Sequence, residues 1–89
     1  MGQDRVKPVL LTRHAEVKIQ ERGLHPSWVE QVVRTPQWTE PDRSDASAER
    51  RFRVIEALGG RILRVVCVET DSAIRVITAL IDRGAKDPR

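Results

Sequence analysis

Residues 49–81, ERRFRVIEALGGRILRVVCVETDSAIRVITALI, decide the fold predicted for this chain. Val, Ile, Phe and Leu dominate the segment, and these residue types favour β-strands. Gly59-Gly60 suits a two-residue hairpin turn, and Asp71-Ser72 separates the next two apolar runs. We therefore predict three antiparallel strands joined by two tight turns.

Counting outward from these turns predicts a register. Two-residue loops place Arg53 opposite Val66 across the first turn. Across the second turn they place Val68 opposite Arg75 and Val66 opposite Ile77. Residues opposite one another point to the same side of a sheet, so the segment divides into an apolar core face and a basic face. The predicted core face carries Phe52, Val54, Leu63, Val65, Cys67, Ile74, Val76, Thr78 and Leu80. The predicted basic face carries Arg51, Arg53, Arg64 and Arg75.

The composition indicates one small basic domain. Eighty-nine residues are enough for a single core, and with one Phe, two Trp and no Tyr that core is predicted to be mostly aliphatic. The net charge is +3, and such an excess favours nucleic acid when it is clustered on one surface. The arginines of the predicted basic face form such a cluster.

Cysteine content and hydropathy favour a cytoplasmic protein. The single cysteine, Cys67, excludes an internal disulfide and is predicted to be a small buried hydrophobe. No apolar run approaches the roughly 18 residues of a membrane span, and the N-terminal residues lack a signal-peptide hydrophobic region. We therefore expect a cytoplasmic location and no membrane partner.

Two helices are predicted before the strands. The first begins after Thr12, whose hydroxyl suits an N-cap, and ends at Gly23, which can adopt the left-handed C′ conformation. The second begins at Pro26, where the missing N–H costs nothing, and ends at Thr35, because the residue before a proline disfavours the helical conformation. Its apolar residues recur at helical spacing and are expected to face the sheet.

The remaining segments complete an α+β domain. Residues 35–48 are predicted to be a loop or to contain a short edge strand around Trp38-Thr39. A flexible lead-in over residues 1–9, a single domain over residues 10–83 and a flexible tail over residues 84–89 are expected. The predicted fold packs two helices on one face of a small antiparallel sheet, a three-stranded meander with or without a fourth edge strand. The basic face is left uncovered.

Several short motifs resemble a known group of proteins. LTRHAEVKIQERGLHP, residues 11–26, resembles the opening of small bacterial domains in which His-Ala begins a helix that ends in Arg-Gly and an aliphatic residue. ERRFRV, GGRILRVVCVET and IRVITA are similar to the strands of those domains and of BrnT-type toxins, which belong to the wider RelE-like ribonuclease superfamily. The resemblance spans residues 10–83.

This resemblance implies a RelE-like fold and a toxin that acts as a metal-independent endoribonuclease. In such proteins a small sheet backed by helices presents basic residues to RNA or the ribosome, and a cognate antitoxin masks them. The matching positions are His14, Arg22, Arg51, Arg53 and Arg64. The chain departs from the pattern where Lys18 replaces a frequent arginine, where His25 replaces a common capping serine, and where Leu80 replaces an arginine of BrnT-type chains, although Arg83 could serve from the strand end.

The chemistry of RNA cleavage selects a smaller set of residues. Attack by the 2′-hydroxyl needs a base, positive charge beside the phosphate and an acid for the leaving oxygen. The predicted catalytic residues are His14, Arg53 and Arg64. The predicted nucleic-acid contacts are Arg51, Arg53, Arg64, Arg75, Lys18, Arg22 and Arg83. No metal or other cofactor is predicted, because two histidines eleven residues apart and one cysteine match no ligand spacing.

Each of these residues also has a structural alternative. His14 could bond a backbone carbonyl or the sheet edge, and the arginines could pair with carboxylates or protect a free sheet face from aggregation. Three functions therefore remain open. They are a ribonuclease toxin of the RelE-like type, a non-catalytic module that binds RNA or the ribosome, and a protein-interaction module that docks an antitoxin or a second copy of the chain.

Overall fold

The structure, a computed structural model, describes residues 6–88. It is a small α+β fold with two helices and a five-stranded mixed sheet of order β1-β5-β4-β3-β2. In chain order the elements are β1 (Val9–Leu11), α1 (Arg13–Glu21), α2 (Pro26–Arg34), β2 (Trp38–Pro41), β3 (Glu49–Ile55), β4 (Arg61–Glu69) and β5 (Ile74–Ile81). Neither helix in this part of the chain is long and apolar enough to cross a membrane.

Both helices begin and end where the sequence predicts. The Thr12 hydroxyl accepts a hydrogen bond from the Ala15 N–H at 3.1 Å, and Gly23 beyond α1 has a φ of 64°, in the left-handed region. Pro26 occupies the first turn of α2. His25 is the N-cap of α2, because its Nδ1 accepts a hydrogen bond from the Ser27 N–H at 3.1 Å. His25 therefore has a structural role at this helix start.

The sheet differs from the antiparallel meander that the sequence predicts. The short edge strand expected around Trp38-Thr39 is present as β2, antiparallel to β3. A further strand, β1, pairs in parallel with the first residues of β5 and begins at Val9, within the segment expected to be a lead-in. Residues 1–5 of that lead-in, and Arg89 in the expected tail, lie outside the described residues. The sheet is therefore mixed rather than purely antiparallel.

The register predicted for β3 and β4 is wrong because their connection is longer than two residues. A 3₁₀ turn at Glu56–Leu58 precedes Gly59-Gly60, whose φ angles are 69° and 81°, so the loop has five residues. Arg53 consequently pairs with Leu63 instead of Val66. The register is therefore shifted by an odd number of residues. Because successive side chains point to opposite faces of a strand, such a shift moves the side chains of β3 to the opposite face of the sheet relative to those of β4.

The second predicted turn is correct only near the turn itself. Val68 pairs with Arg75 as predicted. A β-bulge beside Val66 then adds one residue to β5, so Val66 pairs with Thr78 and not with Ile77. The bulge lets the apolar residues on both sides of it remain on the helix-covered face.

The core lies between the helices and one face of the sheet. On β4 and β5 it contains Leu63, Val65, Cys67, Ile74, Val76 and Ala79, and on the helices it contains Ala15, Ile19, Val29, Val32 and Val33. Phe52 is also buried, at 2% exposure, but it pairs with Arg64 on the opposite, open face. There its ring stacks on Trp38 with centroids 4.9 Å apart. The prediction that Phe52 lies beneath the helices is therefore wrong.

Candidate functional site

Arg51 lies on the helix-covered face, where the predicted register had placed core residues. Its Nη1 donates to the Val33 carbonyl at 2.8 Å, while Nε and Nη2 donate to the carboxylates of Glu49 and Glu69, both at 2.7 Å. Burial alone would lower the pKa of Arg51, but the hydrogen bonds to Glu69 and Glu49 outweigh it and hold the pKa above its ordinary value. Each nitrogen of this guanidinium is already used within the fold.

Arg53 and Arg22 also donate to main-chain carbonyls. Arg53 follows Arg51 by two residues and so lies on the same face of β3, where its Nη1 donates to the Thr35 carbonyl at 2.7 Å. The last carbonyls of a helix have no hydrogen-bond donor within the helix. Arg51 and Arg53 of β3 supply donors for two carbonyls near the end of α2. Arg22 donates to the Ala79 carbonyl of β5, also at 2.7 Å. These three arginines are therefore anchored to different parts of the backbone.

The open face of the sheet carries a different set of arginines. Arg64 donates from Nη1 to Asp82 at 3.0 Å, and its Nε is buried without a hydrogen-bond partner among residues 6–88. Arg50 donates from Nε to Asp42 at 3.0 Å. Arg75 is exposed farther along the same face, opposite Val68. The four arginines predicted to share one face divide between the two faces: Arg51 and Arg53 lie on the helix-covered face, and Arg64 and Arg75 lie on the open face with Arg50.

A groove with an excess of positive charge lies at one end of this open face. We call it the basic groove; its volume is about 360 Å³. Its charged lining residues are Glu40, Arg43, Arg50, Arg64, Asp82 and Lys86, four cations and two anions. The hydrogen bond from Arg50 is the main cause that keeps the pKa of Asp42 below its ordinary value, so this pair remains ionised. Arg50 and Arg64, each in an ion pair with a carboxylate, thus lie beside the exposed side chains of Arg43 and Lys86.

Arg43, Arg50 and Lys86 are not among the site residues that the sequence predicts. The alternation of residues along β3 would have identified Arg50 once the loop length was known, because Arg50 and Phe52 share a face. Arg43 and Lys86 lie outside the strands, in segments that the sequence shows only as polar. Their position beside the sheet depends on how the two segments fold back over it.

The remaining predicted residues lie on or near α1 and at the end of β5. His14, Lys18 and Arg22 follow one another at intervals of four residues, so they share a flank of the helix. Lys18 pairs with Glu21 at 3.3 Å, and His14 is exposed. Because Arg22 reaches a β5 carbonyl, the end of this flank at Arg22 borders the part of β5 that extends beyond β1. Arg83 is exposed in the turn after β5.

The described residues do not form a metal centre or an activated thiol. No group of three or more His, Cys, Asp or Glu side chains between residues 6 and 88 could hold a metal ion. Cys67 is 1% exposed, and burial is the main cause that raises the pKa of its thiol to about 11. At neutral pH it is a protonated core side chain, as the sequence predicts.

A comparison with protein families matches residues 11–81 to a domain of unknown function, DUF4258. The chain belongs to the DUF4258 family. The DUF4258 match begins at the last residue of β1 and ends with β5, so it includes the flank of α1 and both Arg50 and Arg64. Arg83 and Lys86 lie outside it. Searches of curated proteins and of solved structures give no match to this chain.

Proposed function

We propose that this DUF4258 domain binds RNA and that the basic groove contacts the phosphate backbone. The observation that carries this proposal is the convergence of four cations on one concave surface, against three carboxylates: Glu40 and Asp82 of the lining, and the Asp42 partner of Arg50. Arginine binds phosphate oxygens through paired N–H donors, and lysine adds a mobile point charge. A single-stranded backbone is the nucleic-acid partner that a short groove of this kind suits best.

The ion pairs within the groove support this role. Asp42 and Asp82 each bind one arginine at 3.0 Å, which fixes the direction of the guanidinium before a ligand arrives. Groups that are already ordered lose less conformational freedom on binding. Neither Arg43 nor Lys86 has a salt-bridge partner within residues 6–88, so their charge is available to a phosphate.

A salt titration tests the proposal. The affinity for a single-stranded RNA oligonucleotide is measured at several salt concentrations for the unmodified chain and for a variant that combines Arg43→Gln with Lys86→Gln. If each side chain contacts one phosphate, the slope of log affinity against log salt should become shallower by about 1.4, because each contact contributes about 0.7. Both residues are exposed, so the fold should be retained.

The matched control combines Arg13→Gln with Arg61→Gln, which removes the same charge from exposed positions outside the basic groove. An equal change of slope in both variants would indicate attraction by net charge alone. An unchanged slope in the groove variant would reject the groove as the RNA surface. That result would favour the protein-interaction alternative, in which this face docks an antitoxin or a second copy of the chain.

The second candidate function is RNA cleavage by a metal-independent endoribonuclease toxin related to the RelE-like and BrnT-type proteins. The observation in its favour is the shared flank of His14, Lys18 and Arg22 beside β5. His14 would accept the proton of the 2′-hydroxyl as that oxygen attacks the phosphate, and Lys18 would stabilise the charge on the phosphate. The bond from phosphorus to the 5′-oxygen would break, and the departing oxygen would take a proton from water. Arg22 already donates to Ala79, so it would also position this flank relative to the sheet.

A further inference from the structure

A second concave site lies on the helix-covered side of the sheet, between α2 and the end of β3. Its volume is about 390 Å³, within the range of roughly 300–1,000 Å³ for small-molecule pockets. The side chains that give it chemical character are Trp28, Gln31, Gln37, Arg53 and Glu56. We call this site the polar pocket. It shares no lining residue with the basic groove.

Two hydrogen-bond donors of the polar pocket are held in place by the backbone. Gln37 accepts the Val54 N–H through Oε1 at 2.8 Å, which leaves its amide NH₂ group to donate elsewhere. Arg53 is fixed through Nη1 to the Thr35 carbonyl, while its Nε is buried and has no hydrogen-bond partner in the described part of the chain. The Nη2 of Arg53 makes no hydrogen bond within the described part of the chain, so it can donate to a ligand acceptor in the pocket.

The pocket also offers an acceptor and an aromatic surface. Glu56 is exposed and makes no salt bridge with any of residues 6–88, so its carboxylate can accept two hydrogen bonds from a ligand. Trp28 is half-buried against the core and lines the same space. An indole ring in such a position can stack on a planar heterocycle.

This combination of groups fits one nucleobase better than the others. Guanine presents the acceptors O6 and N7 on one edge, and arginine paired with these atoms is the commonest specific contact to a base. Its N1–H and N2–H₂ donors match a carboxylate such as that of Glu56. Adenine has an amino donor where guanine has O6, which would face the Arg53 donors unfavourably. We propose that the polar pocket binds an unpaired guanine base.

This inference rests on the proposed RNA binding for the source of the base, but it can be tested separately with a free nucleotide. The probe is guanosine 5′-monophosphate, with the adenosine, cytidine and uridine monophosphates for comparison. In a Trp38→Phe variant, Trp28 is the only indole and its fluorescence reports on the pocket. Isothermal titration calorimetry on the unmodified chain gives the same affinities without relying on the fold of that variant.

The guanine nucleotide should cause saturable quenching of Trp28, with an affinity at least about tenfold above that of the adenine nucleotide. Glu56→Gln should lower the affinity for the guanine nucleotide by about tenfold and reduce this preference. The matched control is Glu16→Gln, which removes an exposed carboxylate from α1, away from the pocket, and should leave the affinity unchanged.

Absence of saturable binding by both methods would overturn the inference. Equal affinities for the four nucleotides, or an unchanged affinity in Glu56→Gln, would overturn the assignment to guanine. If the RNA affinity depends on the charges of the basic groove but no nucleotide binds, the proposed function is supported and the pocket is rejected as a guanine site. Nucleotide binding without RNA binding would retain the pocket and reject the groove.

Discussion

Arg51 of β3 donates a hydrogen bond from Nη1 to the carbonyl of Val33 in the last turn of α2, at 2.8 Å. This contact joins the sheet to the end of a helix whose sequence, Thr35-Pro36, provides no glycine to close its last carbonyls. Glu49 and Glu69 bind the other nitrogens of the same guanidinium. A residue that the sequence presents as a free cation is therefore part of the packing between β3 and α2.

Replacement of Arg51 should destabilise the fold. Arg51→Ala removes the partner of a buried carbonyl and of two carboxylates, and we expect a loss of about 1–3 kcal/mol in the free energy of unfolding. Urea unfolding followed by circular dichroism measures this loss. Arg75→Ala, which removes an exposed arginine of the open face, should change the stability by less than about 0.5 kcal/mol. Equal effects of the two substitutions would contradict a structural role for Arg51.

The carboxylate of Glu69 should make stability depend on acid pH. Hydrogen bonds from Lys7 and then from Arg51 hold the pKa of Glu69 below its ordinary value of 4.5. A carboxyl group with a lower pKa in the folded state stabilises the fold above its unfolded pKa, and this contribution is lost as the pH falls through the folded pKa. Glu69→Gln should therefore be less stable than the unmodified chain at pH 7, and the difference should shrink below pH 4.5.

Urea midpoints measured across this pH range provide the test. Glu16→Gln is the control, because Glu16 is exposed on α1 and makes no ion pair with the other residues that the structure describes. A constant difference between Glu69→Gln and the unmodified chain from neutral to acid pH would show that ionisation of Glu69 is not the cause.

His14 should be dispensable for stability and required for any RNA cleavage. It is exposed on α1, so His14→Ala should change the free energy of unfolding by less than about 0.5 kcal/mol. Loss of cleavage of an RNA substrate, at an unchanged melting temperature, would support a role in the reaction. His25→Ala provides a contrast within the same chain, since loss of its cap to Ser27 should cost about 0.5–2 kcal/mol while cleavage persists. Normal cleavage by His14→Ala would exclude His14 as the base of the reaction.

Phe52 provides a test of the observed register. Phe52→Ala should cost about 3–5 kcal/mol and should alter the near-UV circular dichroism of Trp38, on which the ring is stacked. Val54→Ala, at the next position on the same face, is half-buried and should cost less. If Phe52 lay beneath the helices instead, its removal would leave the Trp38 signal unchanged.

Local signals in the sequence are sufficient for the helices, whereas for residues 35–48 they leave a loop and a short edge strand as alternatives. A hydroxyl at Thr12, a proline at Pro26 and a glycine at Gly23 each act on neighbouring backbone groups, so their effects can be inferred without knowing the tertiary fold. The face on which each arginine lies depends instead on loop length. Gly59-Gly60 has the positive φ angles of a tight turn, but the 3₁₀ turn before it has no equally clear sequence signal.

The candidate site was harder to predict because its parts come together only in the folded chain. Arg50 is placed on the open face by the register of β3, and Lys86 lies beside it through the path of the segment after β5. In β1, three residues pair in parallel with a strand near the other end of the domain. Such a short segment has no periodicity from which a strand could be inferred.

The pairing of β1 with β5 also imposes an order on folding. Contacts between these segments span about 65 residues, as the bond from Thr12 to the Ile77 carbonyl illustrates, whereas the hairpin of β3 and β4 closes over five. Closing a long loop costs more chain entropy than closing a short one, and distant contacts slow folding. The hairpin can therefore form early, even as the chain leaves the ribosome. β1 cannot pair until β5 has been synthesised, although it precedes the other described strands along the chain.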